Sequence, residues 1–212
     1  LNRRPEDRKP QGQVTDNILS RLAKTVGTRL GDEFLYSLVD FLATSWDIEY
    51  AFIAELDCTF DGARNAQDHA RTLAFYGNGT RRENFAYSLK GTPCSDVIDA
   101  GGVCSHTHSA AALYPKDKML FEMKIESYIG VPLICADQHP CGLLVLLDTK
   151  PLTEVEVISD VMSIVALRAA AELERRINDE KMKTLTQVVE QSKSSVVITD
   201  PEGRFEYVNG QY

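Results

Sequence analysis

The stretch SYIGVPLICADQHPCGLLVLLD, residues 127–148, contains two apolar runs separated by a polar loop. The runs cover residues 128–136 and 141–147, and each is a short, mainly aliphatic segment, which is typical of a buried strand. Residues 137–140 between them read Asp-Gln-His-Pro, a composition that favours a loop. The stretch therefore predicts two strands joined by a short connection.

The elements around these strands predict an α+β fold. Further strands are expected at residues 50–57, 71–76, 84–89 and 103–106, with a polar loop at 58–70. Two short helices are expected, one beginning with Thr92 and Pro93 and one at 116–123. Two helical runs precede the sheet, the first after a cap at Thr15 or Asp16 and the second ending near Trp46. An interrupted antiparallel sheet with helices at both ends is an α+β arrangement.

A long helix is predicted to follow the sheet. Apolar residues recur at helical spacing from Val157 to Leu173 and continue sparsely through Leu185 and Val188. If the helix reaches about residue 193, its length is roughly 60 Å by the rise per residue. The first half can pack on the sheet, and we expect the later half to pair with a second copy, giving a homodimer through the terminal helices. A solvated single helix is the alternative.

Both ends of the chain depart from this pattern. Residues 1–14 carry prolines and charges, which predicts a disordered leader. Residues 194–212 predict a hairpin with strands at 196–199 and 205–208 around the turn Asp200-Pro201-Glu202-Gly203. Because a lone hairpin is marginally stable, we expect these residues to be the truncated start of a second domain.

Composition narrows the class of protein. The 212 residues carry a formal net charge of -8, and an acidic balance argues against a nucleic-acid surface. No apolar run is long enough to span a bilayer, so direct membrane insertion is not expected. The five cysteines are odd in number and form no CxxC pair, which favours free thiols in a reducing, cytoplasmic location.

Five ordered motifs resemble those of GAF domains. They are YSLKGTPC at 87–94, GVC at 102–104, YPKD at 114–117, SYIGVPL at 127–133 and GLLVLLD at 142–148. The resemblance implies a GAF sensory domain over residues 15–175, followed by a helical linker at 176–193. The residues ITD at 198–200, Gly203 and YVN at 207–209 resemble the beginning of a PAS domain. This order is similar to the input half of a histidine kinase or a diguanylate cyclase.

The resemblance also implies a site. GAF domains bind small molecules between the sheet and its short crossing helices, so the chain is expected to be a non-catalytic sensor for an unknown small molecule or a dimerising relay. An apolar wall with a few convergent polar groups suits such a pocket, whereas a filled core is the alternative interpretation. The candidate residues are Tyr87, Cys94, Val97, Cys104, His106, Tyr114, Asp117, Leu120 and Tyr128.

Three more specific chemistries are disfavoured by the residues. Cys104, His106 and His108 lack a fourth ligand at matching spacing, so no metal is expected. In bilin-binding GAF domains the attachment cysteine is usually followed directly by a histidine. Here Ser105 separates Cys104 from His106, so no bilin is expected. Cys94 and Cys104 resemble two cysteines of free methionine-sulfoxide reductases, but the attacking position falls near Glu122, where no cysteine stands. A thiol-based enzyme or a redox sensor is the alternative function, and the missing attacking cysteine disfavours it. Asp117 is expected to cap a short helix.

Overall fold

Alternating apolar residues in the middle of the chain build an antiparallel sheet with helices on its faces. The computed structural model describes residues 11–56 and 69–211. Its strands and helices are, in chain order, α1 Gln11–Val26, α2 Gly31–Trp46, β1 Tyr50–Leu56, β2 His69–Gly77, β3 Thr80–Arg82, β4 Ala86–Ser88, α3 Pro93–Ala100, β5 Cys104–His106, α4 Ala110–Leu113, α5 Lys118–Glu122, β6 Ser127–Ile134, β7 Pro140–Asp148, α6 Val155–Glu190, β8 Val197–Thr199 and β9 Phe205–Val208.

Seven strands form one sheet in the described residues. Their order is β3-β2-β1-β7-β6-β5, and β4 pairs with β2. The predicted pair at 127–148 is β6 and β7, which run antiparallel from Ser127↔Asp148 to Ile134↔Pro140. β7 lies between β6 and β1, so its aliphatic run is buried on both faces, as a central strand requires. The α+β fold with an antiparallel sheet is therefore confirmed.

The two faces of the sheet pack against different helices. Phe52 and Ala54 of β1 belong to a core cluster that includes Val97 of α3 and Leu120 of α5. α2 packs against β1 and β2, and α1 packs against α2. α6 buries a stripe of its first half that ends at Leu173. The face with the short helices α3, α4 and α5 is the one that holds the predicted site.

The chain forms two compact units, Leu1–Leu173 and Glu174–Tyr212. The second unit holds the end of α6 and the hairpin of β8 and β9, with Val197 opposite Val208, so the predicted hairpin is confirmed. Asn209 is 3% exposed and ties this unit together. Its Nδ2 donates to the carbonyl oxygens of Val189 and Ser194, each at 3.0 Å. Within the described residues, no helix combines the length and apolar character needed to cross a bilayer.

Several predicted boundaries are corrected. α1 begins at Gln11, ahead of the predicted start at residue 15, and the rest of the predicted leader lies outside the described residues. β4 is shorter than predicted because Phe85 is held by Thr72, whose Oγ1 accepts from the Phe85 amide at 2.8 Å. α4 was not predicted, since Ala110–Leu113 has only four residues and is too short to show a helical period. Most of the predicted loop at 58–70 also lies outside the described residues.

The expectation of free thiols was wrong for two cysteines. Cys135 and Cys141 form a disulfide with a Cα–Cα distance of 5.9 Å. They stand at the two ends of the β6–β7 connection, where an antiparallel pair brings the chain back on itself. Cys94 and Cys104 are free, and Cys58 lies outside the described residues.

Candidate functional site

The predicted site residues come together on the face covered by the short helices. Tyr87 lies on β4, Cys104 and His106 on β5, and Tyr128 on β6. Seven of the nine predicted site residues belong to, or pack against, a single core cluster; Asp117 and His106 do not. Five are buried and four are half-buried. The buried ones are Cys94, Val97, Asp117, Leu120 and Tyr128.

A thiol between two phenols forms the inner part of the site. The hydroxyl of Tyr128 donates to Sγ of Cys94 at 3.4 Å, and that of Tyr87 donates to the same sulfur at 3.5 Å. Pro93 starts α3 and so turns Cys94 inward at the beginning of the helix. Burial raises the pKa of Cys94 to about 11, although the two hydroxyl donors act in the opposite direction. Burial also raises the pKa of both tyrosines.

A chain of polar side chains forms the outer part. The Tyr114 hydroxyl donates to Oδ2 of Asp96, and Nε2 of His106 lies 2.9 Å from the Tyr114 oxygen. A phenol has one proton, so we assign Nε2 of His106 as the donor in the second contact. Sγ of Cys104 lies 3.6 Å from the same nitrogen. Burial and then the hydrogen bond to Asp96 raise the pKa of Tyr114, while burial and then the Asp96 charge raise that of Cys104.

Asp117 has the structural role that its position after Pro115 predicts. Its Oδ1 accepts from the backbone amides of Met119 and Leu120, at 3.1 and 3.2 Å, so it is the N-cap of α5. α5 therefore begins at Lys118, two residues after the predicted start. Burial raises the pKa of the Asp117 carboxyl. The cap positions Leu120, which closes the core beside α4.

Asp96 is the residue of this cluster that sequence reasoning missed. It lies on α3 two residues after Cys94 and is exposed. The sequence did contain a signal for Asp96. It lies in the first turn of the predicted helix, close to the candidate residue Cys94, so its carboxylate could be expected at the rim of the predicted pocket. Thr92 occupies the predicted cap position of α3, but its hydroxyl donates to the Leu89 carbonyl at 2.7 Å instead of capping the helix.

The chemistry of the cluster is that of neutral donors and carboxylates. Both free thiols have a raised pKa, so both are protonated near neutral pH and neither is an activated nucleophile. Among the described residues, no three His, Cys, Asp or Glu side chains are grouped to hold a metal ion. At its outer edge the half-buried side chains of His106 and Tyr114 stand over a packed apolar interior.

Two cavities lie away from the predicted residues. One of about 350 Å³ lies between the end of α2 and the β2–β3 turn, where its lining includes Asp47, Glu49 and Lys150. The other, of about 150 Å³, lies between α1, α2 and α6, with Phe34 and Ile164 in its walls. Neither contains a residue of the predicted site.

Comparison with solved structures identifies the fold as that of GAF domains. The GAF domain of a phosphoenolpyruvate-protein phosphotransferase from Coxiella burnetii superposes with a TM-score of 0.62 at 15% identity, over 81% of this chain and 99% of that one. The corresponding Acinetobacter domain gives a TM-score of 0.60 at 13% identity, over 79% and 97%. No protein-family profile and no curated protein sequence matches the chain.

The same fold also serves an enzyme. Free methionine-R-sulfoxide reductase from Neisseria meningitidis, solved in complex with its substrate, superposes with a TM-score of 0.58 at 14% identity, over 86% of this chain and 99% of that one. At this level of identity the likeness concerns the fold alone. Function must therefore be argued from the residues of this chain.

Proposed function

We propose that this chain is a non-catalytic sensory module of GAF type that works as a homodimer and passes its signal through α6. One observation carries the proposal: α6 is an uninterrupted helix of 36 residues whose first half buries one stripe and whose last turn is hydrogen-bonded to the hairpin. Because α6 belongs to both units, a displacement of the helix can pass from one unit to the other. A reducing, cytoplasmic location stays a prediction.

Exposed apolar residues on α6 support pairing with a second copy. Ile164 and Leu167 are 49% and 74% exposed, and Leu185 and Val188 are 46% and 63% exposed. The steps 164–167 and 185–188 are each three residues, and 21 residues, three heptads, separate the two pairs. This is the a/d spacing of a coiled coil, with apolar pairs at its two ends and the charged residues Glu174 and Lys181 at the d positions between them. Asn178 falls at an intermediate a position, where a polar residue favours one register at a cost in stability.

The hairpin supports a following domain of PAS type. Oε1 of Glu190 accepts the Tyr207 hydroxyl, and Oε2 accepts the Gly210 amide at 3.1 Å. Phe205 is 64% exposed on this hairpin. The resemblance of residues 198–209 to a PAS opening assigns the hairpin to the start of a PAS domain. By the same resemblance, the output is a histidine kinase or a diguanylate cyclase.

The mass of the chain in solution tests the dimer. We expect multi-angle light scattering to give twice the mass of 23.6 kDa for the wild type. Leu185→Glu places a charge at an a position and should give the mass of one chain. Gln187→Glu introduces the same charge two residues away on the outer face and should leave the dimer intact. A wild-type monomer, or equal masses for the two variants, would overturn this proposal.

Binding of a small molecule is the proposed input. The half-buried polar groups of His106 and Tyr114 lie above an apolar interior, as in many ligand sites. The carboxylates of the site are Asp96 and Asp117, so a neutral molecule is favoured over an anion. In a thermal-shift screen of small metabolites, we expect a neutral compound to raise the melting temperature.

Two matched tyrosine variants test whether the small molecule binds at this site. Tyr114→Phe removes one hydroxyl of the site and should weaken binding about tenfold, the worth of one good hydrogen bond. Tyr76→Phe removes a hydroxyl elsewhere on the sheet and should bind like the wild type. Equal affinities in the two variants, or binding of anions alone, would place the ligand away from the site.

The thiol enzyme is the weaker candidate. It would need a thiolate, whereas burial raises the pKa of Cys94 to about 11. Glu122 stands near the position where the resemblance requires the attacking cysteine. Mass spectrometry after incubation with free methionine sulfoxide should therefore find Cys94 and Cys104 still reduced. Oxidation of both, with release of methionine, would restore the enzyme as the better interpretation.

A further inference from the structure

The disulfide between Cys135 and Cys141 closes the end of the β6–β7 hairpin. Residues 136–139 between the strands are exposed, while Cys135 is 7% exposed and Cys141 2%. The hairpin is already held without the bond. The amide of Cys135 donates to the His139 carbonyl at 2.9 Å, and the β6–β7 ladder continues up to Ile134↔Pro140.

The bond adds less to the fold than a cross-link over a long loop would. A cross-link stabilises a chain mainly by restricting its unfolded state, and the effect grows with the length of the closed loop. Here the cysteines are six positions apart. In addition, the reduced state has an acceptor in place, because the carbonyl oxygen of Leu133 lies 3.3 Å from Sγ of Cys141 and can accept from its thiol.

The residues beside the bond contact the end of the buried part of α6. Leu173 packs directly on Gly142, since a Cβ atom at Gly142 would lie 2.6 Å from Cδ2 of Leu173 and 3.2 Å from Cδ1 of Leu133. Gly142 follows Cys141, and Leu133 precedes Cys135 by two residues. Leu173 is the last buried residue of α6. The hairpin end therefore contacts α6 at the point where the helix stops being buried.

We propose that Cys135 and Cys141 form a thiol–disulfide switch that sets how firmly β6 and β7 hold α6 at Leu173. The reaction partner is a dithiol. One of its thiolates attacks Sγ of Cys135, the less buried of the two residues, and the Cys135–Cys141 bond breaks to give a mixed disulfide and the Cys141 thiolate, which takes up a proton. The second thiol of the reductant then displaces Cys135, so two electrons and two protons pass to the protein and the reductant becomes a disulfide.

The redox reaction and its effect at Leu173 do not depend on the proposed function. Only the idea that this reaction is an input signal rests on the proposed function. The full chain is equilibrated with mixtures of reduced and oxidised dithiothreitol, quenched by alkylation, and analysed by mass spectrometry. Hydrogen exchange of residues 165–176 is measured at both extremes. We expect Cys135 and Cys141 to be alkylated together as reduction proceeds, and the amides around Leu173 to exchange at least threefold faster in the reduced chain.

Two variants complete the test. The double variant Cys135→Ser/Cys141→Ser should show the fast exchange under oxidising conditions, while Ala136→Ser, at an exposed position between the two cysteines, should behave like the wild type. The proposal is overturned if both thiols are alkylated in the oxidised chain, if the bond resists reduction until the chain unfolds, or if exchange at Leu173 is equal in the two states. The mass measurement on Leu185→Glu reports on the dimer separately, so failure of either proposal is recognised by itself.

Discussion

The ring of Tyr128 lies across Gly130, two residues further along β6. Residues two apart on a strand share a face, so the large side chain can cover its small neighbour. A Cβ atom at Gly130 would meet the Tyr128 hydroxyl and would approach Cγ2 of Val97 to 2.8 Å. The hydrogen bond from Tyr128 to Cys94 therefore depends on the absence of a side chain at Gly130.

Gly130→Ala should destabilise the chain by overpacking the core. Displacing Tyr128 and Val97 should lower the free energy of unfolding by about 1–3 kcal/mol, the usual cost of an added methyl group in a packed interior. Urea denaturation measures this difference. Gly102→Ala is the control, since a Cβ atom there meets nothing within 4 Å, and it should leave stability unchanged within about 0.5 kcal/mol. Equal stabilities would contradict the contact.

The buried thiol of Cys94 should make stability fall at alkaline pH. Its pKa rises from an ordinary 9.0 to about 11 on folding, so above pH 9 the unfolded chain loses a proton that the folded chain keeps. Unfolding is then favoured as pH rises. Between pH 8 and 10 the wild type should lose about 1 kcal/mol more of its unfolding free energy than Cys94→Ala. Parallel losses in urea titrations at both pH values would argue against a buried protonated thiol.

Removing the cap of α5 should weaken the short-helix face. Asp117→Ala leaves the amides of Met119 and Leu120 without their acceptor, which should cost about 1–2 kcal/mol of unfolding free energy. Asp117→Asn keeps an acceptor oxygen and removes a charge that burial disfavours, so its stability should lie close to that of the wild type. Asp99→Ala, at an exposed position, serves as control. A strong loss in Asp117→Asn would show that the charge itself is needed.

Asn209 should hold the hairpin to the last turn of α6. Its Oδ1 accepts from the Val196 amide at 2.8 Å, besides the two bonds made by its Nδ2. Asn209→Ala should accelerate hydrogen exchange at Val196 about tenfold, the loss of one buried hydrogen bond, because local opening becomes easier. Gln211→Ala, exposed nearby, should leave that rate unchanged. Unaltered exchange in Asn209→Ala would mean that the backbone alone holds the hairpin.

The strands and the long helix were predictable because their signals are local. Residues 128–136 and 141–147 are continuous apolar runs, and the helix from residue 155 repeats its apolar residues at a single period. α4 carries no such signal, since three alanines suit several conformations and its start is set by Ser109, whose amide donates to Oε1 of Glu126 at 2.9 Å. That contact spans 17 residues and cannot be read from the local sequence.

The site was predicted as a set of residues but not as a network. Motif resemblance brought Tyr87, Cys94 and Tyr128 to one face, yet the convergence of both hydroxyls on one sulfur depends on strand register. The disulfide could have been found from the predicted strands, because residues at both ends of a short connection lie opposite each other. The odd number of cysteines and the absence of a CxxC motif carry no information about that pairing.

The short helices have a consequence for the kinetics of access. α4 and α5 have four and five residues, too few to be helical on their own, so α4 persists through its contacts with the core and α5 also through its cap at Asp117. Such segments open at a lower free energy than the sheet beneath them. Opening of α5 would withdraw Leu120 from the core cluster for short periods while the β6–β7 ladder stays intact. Entry into the interior would be governed by how often this wall opens, and a molecule that stabilises the closed wall would bind slowly and leave slowly.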